Sequence, residues 1–161
     1  KVTNMSTMFN NCIKLTTIPL LNTGEATTMG YMFGSCSQLI NITLLDTSKA
    51  TNMYAMFKDC NKLTKIDISK LGDSNSYFAS KCYSLKTLII RIMNTIPSLQ
   101  SNSFIDCYHF YGTVNTTYNP DGLKDGRIYV PDDKVESLKA ATNWSVFADI
   151  IVPLSTYVEE V

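Results

Sequence analysis

The feature that most constrains this chain is an internal period of 24 residues. Met5, Met8, Phe9, Cys12, Leu15 and Ile18 return as Met29, Met32, Phe33, Cys36, Leu39 and Ile42, and again as Met53, Met56, Phe57, Cys60, Leu63 and Ile66. Two altered copies follow. Phe78, Cys82, Leu85 and Leu88 keep the second half of the template, with Asn75 and Ala79 in two of the large apolar columns, and Phe104, Cys107 and Phe110 mark a fifth. A unit this small cannot bury its own apolar side, so units must stack, and like residues then form ladders.

Each unit changes period partway. Met53, Met56, Phe57 and Cys60 fall at i, i+3, i+4 and i+7, one stripe of a helix of about two turns, with Thr51 or Asn52 placed to cap its start. The period then becomes two: Ile18 and Leu20, Ile42 and Leu44, Ile66 and Ile68, and Leu88 and Ile90 point one way, as in a strand. The expected fold is therefore an α/β repeat. It is a leucine-rich-repeat solenoid with a parallel sheet on one face and short helices on the other, made of about five units over residues 1–113.

Residues 114–161 read as a C-terminal α/β cap over the end of the ladder. Asn115 to Gly126 is a loop by its Asn, Asp, Gly and Pro content, and Ile128 to Val130 is a strand. Pro131 and Asp132 open a helix with Asp132 as N-cap, Asp133 and Glu136 near its start, and Val135, Leu138 and Ala141 or Thr142 inward. Trp144 and Phe147 pack on the last repeat, and Ile150 to Val152 forms a final strand. Because Lys1 already lies inside a repeat, an N-terminal part, either a processed signal or further repeats, is expected to precede it.

The M-F-x-x-C-x-x-L-x-x-I unit, with D-T-S-K-A-T-N-M leading into the next copy, resembles the BspA-like leucine-rich-repeat surface proteins of bacteria over residues 1–113. The stretch Arg127 to Trp144 resembles the tail unit that closes such arrays. The resemblance implies a secreted or cell-surface module for adhesion or protein binding, with a host or neighbouring-cell protein or glycan as partner. The alternative is a structural spacer or phage-tail-type element without its own ligand.

Composition narrows the field. Fourteen basic and 14 acidic residues leave no net charge, which removes the usual basis for binding nucleic acid or an anionic membrane. No apolar run is long enough for a membrane helix. Polar surface is supplied by Thr, Ser and Asn instead, as suits a secreted or surface protein, and a monomer is expected. No catalytic motif is present, and no enzyme activity, metal or cofactor is expected.

The remaining chemical groups read as structure. Cys12, Cys36, Cys60, Cys82 and Cys107 share one column, a ladder of small inert thiols, and the Met columns are core. His109, with Asp106 and Cys107, could form part of a metal or catalytic set, but reads as a surface histidine. Glu159 and Glu160 lie together in the tail with no partner carboxylate in view.

Recognition is expected on the outward rows of the sheet. These are Thr17, Asn41, Lys65 and Thr87; Pro19, Thr43, Asp67 and Ile89; and Leu21, Leu45, Ser69 and Arg91. Thr17, Asn41, Thr43, Lys65, Asp67, Thr87, Ile89 and Arg91 form the candidate binding face. Tyr108, Tyr111 and Tyr118 form a candidate aromatic patch, with His109, Phe110 and Tyr129 beside it; the other reading is that these rings pack the junction between repeat and cap.

Overall fold

The computed structural model describes residues 1–159; Glu160 lies outside them. It has an α/β repeat-like fold, with five parallel strands in one sheet and few short helices. The strands are β1 (Asn41–Leu45), β2 (Lys65–Ile68), β3 (Thr87–Ile90), β4 (Arg127–Val130) and β5 (Ile151–Pro153), hydrogen-bonded in sequence order. The register follows the repeat: Ile42 pairs with Ile66, Ile66 with Leu88, Leu88 with Ile128, and Ile128 with Ile151. All five are buried, so the aliphatic column runs unbroken from β1 to β5. A second parallel ladder of single bridges joins Asn4, Thr28, Asn52 and Ser74.

The segments expected to be helices in the first four units are chains of four-residue turns. In unit 2, Met32 N donates to Met29 O at 3.1 Å, Cys36 N to Phe33 O at 3.1 Å, and Leu39 N to Cys36 O at 3.0 Å. Tyr31 and Ser35, the third residues of the first two turns, have φ of 55° and 60°. Thr7 and Asn11, Ala55 and Asp59, and Tyr77 and Lys81 repeat this. The two ends of a turn lie close together. Two consecutive turns therefore bring i, i+3, i+4 and i+7 to one side, which is the spacing of a helical stripe.

What the turns gain is bonding between units. Tyr31, Phe33 and Ser35 N–H donate to Tyr54, Met56 and Lys58 O of the next unit at 2.9, 2.9 and 2.7 Å. A helix would have kept those donors for itself. The Asn52 Oδ1 accepts from Tyr54 N at 3.0 Å and so caps the turn rather than a helix. The cost is left-handed backbone at residues with a Cβ, about 1–2 kcal/mol each. Ser35→Gly is therefore expected to stabilise the fold by about 0.5–1 kcal/mol, after glycine's own entropic cost. Urea denaturation checks this; a loss of stability would show that the backbone at Ser35 is not left-handed.

Among the described residues, helix is confined to α1 (Tyr108–Tyr111) and α2 (Val135–Lys139), with 3₁₀ turns at Asp132–Lys134, Ser145–Phe147 and Leu154–Thr156. Val135 and Leu138 face inward as expected. Asp132 does not cap its own helix: its Oδ1 accepts from Ser155 N at 3.0 Å, which holds its carboxyl below the usual range. β4 joins β3 directly, after a loop tied by Asn119, whose Nδ2 donates to Thr113 O and Leu123 O at 3.2 and 3.0 Å. Gly126 opens β4 against Phe110, where a Cβ would collide with the ring.

The core is the ladder itself. Phe9 stacks on Phe33 at 5.3 Å and Phe33 on Phe57 at 5.5 Å, nearly parallel. In unit 4 the ring moves one column over, as Phe78 with Ala79 takes the place of Met56 with Phe57. Phe78 then meets Phe57 and Phe104 edge-on at 5.3 and 6.2 Å, keeping the aromatic volume where the direct stack is broken. Trp144 is fully buried, and its Nε1 donates to Pro97 O at 2.8 Å, which pins the C-terminal segment to the repeats.

Candidate binding face

The outward face of the sheet differs from the expected one in register and in cover. Between the pairs Ile42–Ile66 and Leu45–Ile68, β1 has two residues where β2 has only Asp67, a bulge with Leu44 at φ 31°. Leu45 therefore turns inward and is buried, while Leu44 is 54% exposed. In unit 1 Leu20 is 96% exposed and Leu21 packs against the core. The expected inward pairs Ile18–Leu20 and Ile42–Leu44 are thus Ile18–Leu21 and Ile42–Leu45. Ser69, expected outward, is also buried.

Of the candidate residues, Thr17, Asn41 and Thr43 are exposed, Lys65, Thr87 and Arg91 are half-buried, and Asp67 and Ile89 are buried. Asp67 is held by a two-pronged pair: Arg91 Nε donates to Oδ1 at 2.8 Å and Nη2 to Oδ2 at 2.7 Å. The Asp67 side chain is 3% exposed. These bonds raise the Arg91 pKa further above its usual value. Removing Arg91 would strand the buried Asp67 charge. Asp67 and Arg91 are thus structural parts of the face rather than free contacts.

The cover comes from the chain itself. After β5, Leu154–Thr156 makes a 3₁₀ turn and the backbone doubles back over the sheet. The Tyr157 ring packs on Tyr129 of β4 at 5.0 Å, and its hydroxyl accepts from Lys65 Nζ on β2. Tyr157 therefore spans β4 and β2, with the buried Ile89 of β3 between them in the sheet. Glu159 Oε1 lies 3.8 Å from Lys65 Nζ. Asn41, Thr43, Lys65 and Thr87 line one groove of about 760 Å³ with Tyr129 and Tyr157. The reading from sequence reached the first four of these residues. It missed Tyr157 and Glu159, which follow Pro153 with no local pattern pointing back to the sheet.

The aromatic residues divide into two groups. Tyr108 stacks on Tyr83 at 5.2 Å, and Tyr118 leans on the same ring at 4.8 Å. Tyr111 instead meets Phe147 edge-on at 5.2 Å. His109 is buried, contrary to the expected surface position: its Nδ1 lies 2.6 Å from Asp125 Oδ1, and Lys86 Nζ donates to Asp125 Oδ2 at 2.8 Å. Burial alone would raise the Asp125 carboxyl, but the bonds from Lys86 and His109 outweigh it and hold it below its usual value. Cys107 turns away, its Sγ donating to Ala79 O at 3.1 Å, so Cys107 and His109 serve different partners. Among the described residues, no group of three or more His, Cys, Asp or Glu could hold a metal ion, and no helix is long and apolar enough to cross a membrane.

The thiol column is a bonded ladder. Cys36 Sγ donates to Phe9 O at 3.1 Å, Cys60 to Phe33 O at 3.1 Å, and Cys82 to Phe57 O at 3.0 Å. All five cysteines are free, and only Cys12 is exposed. Burial raises the Cys36 thiol to about 11 and pushes Cys60, Cys82 and Cys107 up as well.

No curated protein and no solved structure matches the chain. The family model described as "Mycoplasma protein of unknown function, DUF285" matches residues 1–88, which hold the three regular copies of the repeat and the altered fourth. That match covers more than half of the 161 residues, and the chain belongs to the DUF285 family.

Proposed function

We propose that the chain is a non-catalytic binding module of a secreted or cell-surface protein, built as a BspA-like leucine-rich-repeat solenoid. It acts as a monomer through the outward face of its sheet, on a host or neighbouring-cell protein or glycan. One observation carries the reading. The outward positions Asn41, Lys65, Thr87 and Arg127 stand in register and differ in chemistry from strand to strand. The adjoining register positions, Ile42, Ile66, Leu88 and Ile128, are all buried aliphatics. A stacked repeat can vary the first set without disturbing the second, which is how such folds carry recognition surfaces.

The spacer reading has its own support. Asp67 and Ile89 are covered, which reduces the area open to a partner.

Surface plasmon resonance of the purified chain against extracellular-matrix proteins and a glycan panel separates the two. The binding reading expects at least one saturable interaction, weakened tenfold or more by Asn41→Ala, Thr43→Ala and Lys65→Ala together, which costs about 1.4 kcal/mol of binding free energy or more. These three residues make none of the core contacts, so a folded variant is expected. Absence of binding to every class by the folded protein would leave the spacer.

A further inference from the structure

Resting on that reading of the face, we infer that its ligands are acidic, tyrosine-bearing peptide segments, and that Leu154–Glu159 is an internal occupant of the same site. The stretch shows how the site would be used. Tyr157 and Glu159 approach Lys65, while Val158 between them is 80% exposed. Residues i and i+2 of an extended segment share a side, so recognition has the form tyrosine, any residue, acid. Tyr129 supplies a ring for the tyrosine and Lys65 a donor for its hydroxyl. Because the ammonium bonds to that hydroxyl, it sits beyond the ring edge rather than over its face.

The charges on the face fit an acidic segment. Asp67 is paired with Arg91 and Asp125 with Lys86, and His109 lies in hydrogen-bond contact with Asp125. Among the described residues, the charged partner of Lys65 is Glu159. An anionic ligand would thus meet a cation whose counter-charge the tail supplies.

The occupant is also weakly held. Its turn is fixed where Asp132 Oδ1 accepts from Ser155 N and Thr156 Oγ1 donates to Pro153 O. Beyond the turn it relies on the Tyr157 contacts and on a loose ion pair to Glu159, whose side chain is 77% exposed. Asn41 and Thr43 line the same groove, and both are exposed. A longer partner therefore has contacts to gain that the tail does not use.

A tethered segment acts at an effective concentration on the order of 1 mM. If the free peptide binds an open face with Kd on the order of 0.1 mM, the tail fills the site in about nine molecules of ten, and the apparent affinity for a second peptide falls about tenfold.

The test is fluorescence anisotropy with a labelled Leu-Ser-Thr-Tyr-Val-Glu peptide and the full chain. Tyr157→Ala, which empties the groove, is expected to tighten peptide binding about tenfold. Adding Lys65→Ala to that variant is expected to abolish the gain, and a peptide with Ala in place of its Tyr is expected not to bind. Thermal melts follow the fold of each variant. Should Tyr157→Ala destabilise the cap, Glu159→Lys decides at an exposed position: the tail is then repelled by Lys65, and binding is expected to tighten about threefold. No gain in either variant, or a gain that survives Lys65→Ala, overturns the inference. Saturable matrix or glycan binding alongside no peptide gain would overturn this occupant while the binding face itself stands.

Discussion

Restoring the repeat consensus at position 75 by Asn75→Met is expected to destabilise the protein by about 3 kcal/mol. The first-Met column holds Met5, Met29 and Met53 before it, so the substitution looks like a repair. Asn75 is fully buried, and both ends of its amide are fully bonded. Nδ2 donates to Gly72 O at 2.9 Å and to Ser98 O at 2.7 Å. Oδ1 accepts from Gln100 N at 3.0 Å and from Ser103 Oγ at 2.8 Å. An amide has two donors and two acceptor sites, so its capacity is used in full.

Three of these partners, Ser98, Gln100 and Ser103, lie after β3 on the way into the fifth unit, so Asn75 ties a departing segment to the stack. Methionine would add apolar burial of about 1.5–3 kcal/mol, but would leave Gly72 O, Ser98 O and Gln100 N without partners at about 1–3 kcal/mol each. Ser103 loses less, because its hydroxyl also donates to Asn75 O at 2.9 Å. Partial access to water at Ser98 and Gln100 keeps the net cost near the figure given. Urea denaturation measures the total, and amide hydrogen exchange locates it: protection should fall first at residues 98–107. A variant as stable as the parent, or more so, would mean that the amide network does not hold this connection.

The same residue shows what could be read beforehand and what could not. The period of 24, the aliphatic column from Ile42 to Leu88, the thiol column and the inward Val135 and Leu138 follow from spacing alone, because stacking makes each position of a repeat answer to its copies and a helix its own period. Asn75 could be seen as a departure, yet three of its four partners lie in a segment that has no copy elsewhere.

The helix expectation failed for a different reason. Two turns in sequence and two helical turns place i, i+3, i+4 and i+7 on one side alike. The available clue was Asn11 and Asp59 at the third position of the second turn, residue types that tolerate left-handed backbone. The outward face was legible where it follows the register, at Asn41, Lys65 and Thr87. It was illegible at Asp67 and Ile89, whose burial involves an arginine one repeat later and a covering segment from the far end of the chain.

In native buffer near pH 8, iodoacetamide is expected to modify Cys12 alone, with Cys36, Cys60, Cys82 and Cys107 protected by a factor of at least about a thousand in rate. Two effects multiply. The thiolate is the reacting form, and a thiol raised to about 11, as at Cys36, is ionised in roughly one part in a thousand at that pH. The buried sulfurs are also shielded from reagent unless the stack opens, and each donates to a carbonyl of the preceding unit. Cys12 lacks that shielding: it is exposed and makes no such bond among the described residues.

The order of the slow reactions carries further information. Opening of a stacked array begins at its less protected units. Cys36, covered on one side by the exposed first unit, is therefore expected to react before Cys60 and Cys82. Mass mapping of alkylated peptides over time reads this order, and denaturant should make all five react together. Rapid modification of Cys60 or Cys82 in the native protein would contradict the ladder, because those two thiols lie deepest in it.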